Sequence, residues 1–177
     1  MLRIGVLGDT HGDITLARRV LEQLMPLDFV LHTGDHYSDA LQLAREMQVG
    51  VVGVAGNCDL FSGGPRDRVL DFYGKRIYLT HGHRYGVKGG YLNLYYRGKE
   101  LGASIVICGH THRSFLEESG GMLLLNPGSL TYPRDGVRTV ALLILSPQEL
   151  AVQILTADEN GVLTPEAEAA LGNRVSP

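Results

Sequence analysis

Five short segments of this chain, spread along its length, each carry metal-ligating side chains beside glycine: Asp9-Thr10-His11-Gly12, Gly34-Asp35, Gly56-Asn57-Cys58-Asp59, His81-Gly82-His83 and Gly109-His110-Thr111-His112. Each follows an apolar run that reads as a β-strand. In open α/β sheets, ligands bind just outside the carboxyl ends of the strands. The pattern therefore predicts an α/β fold in which these residues gather at one rim of one sheet. The glycines beside them let the backbone turn sharply and approach a ligand closely.

The runs at 4–7, 29–32 and 49–54 are β-branched or Leu-rich, and between them 14–25 and 39–47 have helical spacing. Leu16, Val20 and Leu24 share one helical face, and Leu41, Ala44 and Met47 share another. Strands alternating with helices of this length predict βαβ units and a parallel sheet. After Asn57 the style changes to hairpins: 69–72 with 76–80, 114–117 with 122–125, and 138–145 with 149–155. A helix is expected over 90–101, with Tyr91 and Tyr95 on one face packing against the sheet, and a buried strand over 105–108. Residues 1–155 read as one domain and 156–177 as a polar tail. In that tail Thr164-Pro165-Glu166 would cap a short helix ending at Gly172, and the last residues would fray.

A chain of 177 residues can bury a substantial core without disulfides. Its formal charge of −3 excludes a protein built to coat DNA or an anionic membrane, and the lack of a basic surplus argues against long nucleic acid as substrate. Two cysteines suit a reducing compartment. The apolar N-terminal stretch is too short for a signal peptide, and the apolar run at 140–145 is far below the roughly 20 residues of a membrane span. A cytoplasmic protein is expected.

A set of imidazoles, carboxylates and an amide suits Mn²⁺, Fe²⁺, Co²⁺, Ni²⁺ or Zn²⁺ and not Ca²⁺. The seven candidate ligands Asp9, His11, Asp35, Asn57, His81, His110 and His112 are too many for one ion. With one carboxylate bridging, they divide between two metals about 3.5–4 Å apart. Such a pair holds a hydroxide as nucleophile and offsets the charge developing in an in-line phosphoryl transition state.

The order D-x-H, G-D, G-N-x-D, H-G-H and G-H-x-H resembles the calcineurin-like metallophosphoesterases. The G-N-C-D form and the later Asn126-Pro127-Gly128-Ser129, by itself a plain turn signal, are similar to their small bacterial and archaeal phosphodiesterase branch. The resemblance covers 1–155 and implies a four-layer αββα sandwich of two mixed β-sheets flanked by helices. It implies that Asp9, His11 and His112 bind one metal, that Asn57, His81 and His110 bind the other, and that Asp35 bridges. It further implies hydrolysis of a phosphodiester, manganese as the metal, and a homo-oligomer, while the short segments around the motifs, which leave little chain for a lid or a protein-docking groove, favour a small or nucleotide-like diester.

Where most of the superfamily has a histidine, this chain has Cys58, whose ordinary thiol pKa near 8.5 suits acid–base work poorly at neutral pH. His83 is expected to fill part of that role, with Asn57 and Asp59 grouped beside it as catalytic and Cys58 and Arg113 as substrate contacts. His32 reads as a core imidazole, His36 as a capping or surface residue, Cys108 as a small buried residue, and Arg84 and Arg134 as solvated cations. Two alternatives stay open: a phosphomonoesterase on the same site, and a catalytically weak protein-binding scaffold of the same fold.

Overall fold

The structure, a computed structural model, describes residues 1–172. Strand β1 (Leu2–Leu7), helix α1 (Thr15–Leu24), strand β2 (Phe29–His32), helix α2 (Tyr37–Met47) and strand β3 (Gly50–Gly53) form the expected βαβαβ unit. The three strands are parallel, with Leu7 opposite His32 and His32 opposite Gly53. In α1, Ala17, Val20, Leu21 and Leu24 fall at helical spacing and are all buried. In α2 the buried face is Asp39, Ala40 and Leu43, so the expected stripe is rotated and Leu41 stands 44% exposed.

The hairpin half also forms as expected. Strands β4 (Asp67–Phe72) and β5 (Lys75–Thr80) pair antiparallel, and helix α3 (Leu92–Leu101) leads to the short buried strand β6 (Ile105–Ile107). Strands β7 (Ser114–Ser119) and β8 (Met122–Pro127) form the second hairpin, and β9 (Arg138–Leu145) and β10 (Glu149–Ala157) the third. Tyr91 stacks on Phe115 at 4.1 Å between ring centroids, and Tyr95 packs on the same cluster under the sheet.

The sheet orders are β3-β2-β1-β9-β10 with one further strand, and β4-β5-β6-β8-β7. That further strand is β11 (Leu163–Gly172), which pairs antiparallel with β10 where a short helix was expected. Glu and Ala favour helix by propensity, but propensity is a weak prior that tertiary context overrides. Ala167, Ala169 and Leu171 alternate inward onto the core between the sheets, while Glu166, Glu168 and Ala170 face outward. Pro165, which cannot donate to the ladder, sits where the β10 register shifts between Ile154 and Leu155. The frayed end expected for the last residues lies outside the described residues.

The two mixed sheets pack face to face over Ile4, Leu31, Ile77, Ile107, Leu125 and Leu143. Helices α1 and α2 cover the outer face of the six-stranded sheet, where Leu21 and Leu43 join Val30 and Val140. Helix α3 covers the other sheet through Leu94, against Val106 and Met122. The result is the expected αββα sandwich. No helix among the described residues is long and apolar enough to cross a membrane.

Candidate metal centre

The five motif segments lie at the carboxyl ends of β1, β2 and β3 in one sheet and of β5 and β6 in the other. The rim is therefore shared by two sheets, where the residue pattern alone suggested one. Packing the sheets with these ends together is what makes the segments converge. They converge at a backbone cost: Asp9, His11, Asp35, His110 and His112 all have positive φ, between 49° and 72°. Such conformations are uncommon for residues other than glycine and persist where surrounding bonds over-determine them.

Those bonds are present. The Asp9 N–H donates to Gly34 O at 2.9 Å, and the Thr33 N–H to Leu7 O at 2.9 Å. Asn126 Nδ2 donates to Gly109 O at 2.8 Å and to Thr111 Oγ1 at 3.1 Å, and Ser129 Oγ donates to Asp9 O at 3.0 Å. Asn126-Pro127-Gly128-Ser129 is thus a clamp joining the first and last motif loops, a role its turn-like sequence did not reveal.

Two donor groups result, Asp9, His11, Asp35 and His112 in one and Asp35, His81 and His110 in the other, each with ligand atoms within 4.8 Å of one another. His11 Nε2 lies 3.2 Å from His112 Nε2, and His112 Nε2 lies 3.5 Å from Asp9 Oδ1. In the second group His81 Nε2 is 3.2 Å from His110 Nδ1 and 3.1 Å from Asn57 Oδ1. Ligands held about 2.1 Å from one ion stand about 3.0–3.4 Å apart along the edge of an octahedron or tetrahedron. Three of these four separations fall in that range, and the His112–Asp9 distance of 3.5 Å lies just beyond it.

The imidazoles are also oriented from behind. His81 Nδ1–H donates to Thr33 O at 2.9 Å and His112 Nδ1–H to Tyr132 O at 2.8 Å, which leaves both Nε2 lone pairs facing the centre. The fully buried His32 ties the first loop down. Its Nδ1 accepts from the Gly34 N–H at 3.2 Å, so Nε2 carries the proton and donates to Thr10 Oγ1 at 3.1 Å. Thr10 Oγ1 donates in turn to Asp39 Oδ2 at 2.6 Å, and the Gly12 N–H reaches the same oxygen at 2.8 Å. His11 is bracketed by this chain, and neither Thr10 nor Asp39 carries a sequence signal for it.

Asp59 holds a loop. Its Oδ1 accepts from the Tyr37 N–H at 2.7 Å and its Oδ2 from the Gly56 N–H at 2.8 Å, which fixes the Asn57 turn to the start of α2. The Cys58 N–H donates to Asp35 Oδ1 at 3.0 Å. Gly56 is obligatory there, because a Cβ would collide with Asp35 Oδ1 and the Asp35 backbone nitrogen.

Burial, reinforced by the Asp35 charge, raises the Asp9 carboxyl well above its ordinary range. Burial pushes Asp35 up as well, but His81 and the Cys58 N–H outweigh it and leave Asp35 below the usual value. Burial lowers His11 and His81, and it brings His110 down to about 4. Deprotonated imidazoles converging on two carboxylates at one rim make an electron-rich pocket that a divalent cation matches, since metals bind neutral histidine and ionised carboxylate. Burial and Asp35 raise the Cys58 thiol, so it stays protonated at neutral pH.

His83 opens a short 3-10 turn, with its ring centroid 5.3 Å from that of His81 and 6.0 Å from that of His110. Its Nδ1 is enclosed with no hydrogen-bond partner among the described residues, and burial lowers its pKa. His36 begins α2, and its ring lies 5.4 Å from that of His11. A cleft of about 440 Å³ opens over the first donor group between His36, Tyr132 and Arg134. Arg113 lines a neighbouring cleft, Arg84 is exposed, and Cys108 is buried in the α3 cluster.

An αββα sandwich with two adjoining histidine–aspartate donor groups at the strand ends defines a metal-dependent phosphoester hydrolase class. The chain belongs to the calcineurin-like phosphoesterase superfamily, whose domain profile matches residues 2–147. A Bacillus subtilis protein named "Probable metallophosphoesterase YsnB" is 35% identical over 162 residues, spanning 90% of this chain and 93% of that one. The Escherichia coli phosphodiesterase YfcE is 29% identical over 77% of this chain and 83% of its own. Among solved structures, Vps29 of Entamoeba histolytica complexed with zinc superposes with a TM-score of 0.79 at 26% identity, covering 97% of this chain and 100% of that chain.

Proposed function

We propose that the chain is a phosphodiesterase with a dinuclear metal centre bridged by Asp35. One observation carries this reading. The two oxygens of Asp35 face different donor groups, Oδ1 lying 3.4 Å from His81 Nε2 and Oδ2 3.7 Å from His11 Nε2. A carboxylate with one oxygen on each side can bridge two ions. Asp9, His11 and His112 would hold one ion and Asn57, His81 and His110 the other. When bound, two divalent cations, manganese first among them, supply an activated water and Lewis-acid stabilisation of the in-line transition state.

The remaining steps belong to the protein. The His36–Tyr132–Arg134 cleft admits the phosphoester. The Asn57 carboxamide is aimed by a turn that Asp59 holds, so it is pre-oriented before substrate arrives. His83 is neutral at pH 7 and can offer a ring N–H to the leaving oxygen without being a strong acid. That favours substrates whose leaving groups need little protonation. Cys58, whose thiol burial and the neighbouring Asp35 hold in the protonated form, is not set up as a nucleophile.

The reading is supported by the phosphodiesterase activity in the name of the E. coli relative and by the filling of every donor position. The likeness to Vps29 keeps a protein-binding scaffold as the alternative. Hydrolysis of bis(p-nitrophenyl) phosphate by metal-stripped protein, with Mn²⁺ added back, tests it. Restored activity that disappears in Asp35→Asn is expected. Folded protein inert with Mn²⁺, Ni²⁺, Co²⁺ and Zn²⁺ would move the assignment to the scaffold.

A further inference from the structure

Beside the donor groups lies a second cleft of about 650 Å³, whose lining includes Lys88, Tyr91, Thr111, Arg113 and Phe115. It adjoins the first cleft, because Arg134 lines both. Thr111, between His110 and His112 in sequence, places the edge of this cleft against the metal donors. No donor residue lines it, so a group bound there is distinct from the phosphate under attack.

The charge of this cleft is uncompensated. Arg18, Arg76 and Arg97 are each paired with a carboxylate, and Lys75 and Lys99 sit on backbone carbonyls. Among the described residues, no hydrogen bond or ion pair to a protein group is found for the side chains of Lys88, Arg113 or Arg134, and no carboxylate lines the cleft. Three unpaired cations at one opening, on a chain of formal charge −3, are a local concentration against the overall sign. Lys88 is close enough that its charge works against the burial that raises Asp9 and adds to the burial that lowers His110. Guanidinium groups present paired N–H donors that match phosphate oxygens bidentately. The stacked Tyr91–Phe115 pair gives the same cleft an apolar face for the organic part of a ligand.

We propose that the Lys88–Arg113–Arg134 cleft is a subsite for a second phosphate, so that the substrate carries a phosphoryl group in addition to the ester that is cleaved. This rests on the reading of the metal centre as hydrolytic. The substrate class is then a nucleotide-like diester bearing a further phosphate, spanning from the metal donors across Thr111 into the basic cleft.

The test compares the p-nitrophenyl ester of thymidine 5′-phosphate with the same ester phosphorylated at the 3′ position, using Mn²⁺-loaded full-length protein. The expected result is a kcat/KM roughly tenfold higher for the 3′-phosphorylated ester, expressed mainly in KM, as one or two phosphate contacts would give. In the Lys88→Gln/Arg134→Gln double variant, which alters two exposed side chains, the ratio between the two esters falls towards one. Equal kcat/KM for the two esters, or a preference that survives in the double variant, overturns the subsite. If neither ester is cleaved, the hydrolytic reading fails separately, and calorimetry decides the subsite: thymidine 3′,5′-bisphosphate must bind more tightly than thymidine 5′-phosphate, and the double variant must lose that difference. Equal binding overturns it.

Discussion

Replacing Asp39 with Asn should weaken both the fold and its hold on metal, although Asp39 is not a candidate ligand. Asp39 lies in the first turn of α2, is 5% exposed, and gathers the Thr10 hydroxyl at 2.6 Å and the Gly12 N–H at 2.8 Å onto one oxygen. A hydrogen bond to a charged group contributes about 1.5–3 kcal/mol and a neutral one about 0.5–1.5 kcal/mol. An amide oxygen that keeps both partners therefore loses about 1 kcal/mol per bond. Loss of a negative charge near the helix N-terminus removes roughly another 0.5 kcal/mol. A total of about 2–3 kcal/mol, at about 2–4 °C per kcal/mol for a chain of this size, lowers Tm by roughly 5–10 °C.

The same two bonds bracket His11, so loosening them should lower metal affinity about 10- to 100-fold, as loss of outer-shell partners does elsewhere. Thermal melts of metal-free protein across a Mn²⁺ titration measure both effects. Asp39→Asn should melt lower without metal and need more Mn²⁺ to reach its plateau. A variant that melts within about 1 °C of the parent, with the same Mn²⁺ midpoint, would refute the reasoning.

Gly56→Ala forces a Cβ onto Asp35, so it should cost about 1–3 kcal/mol of stability and abolish Mn²⁺-dependent hydrolysis even where the protein remains folded. Full activity in that variant would show that Asp35 need not sit where it does. His83→Gln should slow esters with poor leaving groups far more than nitrophenyl esters, and equal losses on both would remove His83 from leaving-group chemistry. Burial holds the folded His32 pKa at about 4, against an ordinary value of 6.5. The unfolded chain takes up this proton below pH 6.5 while the folded chain refuses it, so His32 makes stability fall as pH drops from 6.5 towards 4. The contribution is roughly 3 kcal/mol across that window. Denaturant midpoints of the metal-free protein should then depend less steeply on pH in His32→Gln, and parallel profiles would contradict the assignment.

The ligand-bearing segments, the βαβαβ unit and the three hairpins were legible because their signals are local. Periodicity, turn residues and side-chain chemistry reside in neighbouring residues, and an ordered set of histidines and aspartates after strand-like runs admits few uses. The segment 163–172 was misread for the same reason. Its Glu and Ala residues carry a helical preference, whereas the strand arises from the free edge of β10 and the inward alternation of Ala167, Ala169 and Leu171. The rotation of α2 also lay outside the pattern, because Asp39 is buried to hold a loop and so displaces the apolar stripe. By itself the sequence determined which residues could hold metal and what chemistry they suit. Only the tertiary structure decided that two sheets share the rim, that His32, Thr10 and Asp39 brace His11, that Asn126 and Ser129 clamp the loops, and that three unpaired cations meet beside them. Each of these depends on contacts between residues distant in sequence, which arise only once the sheets pack and which no local pattern encodes.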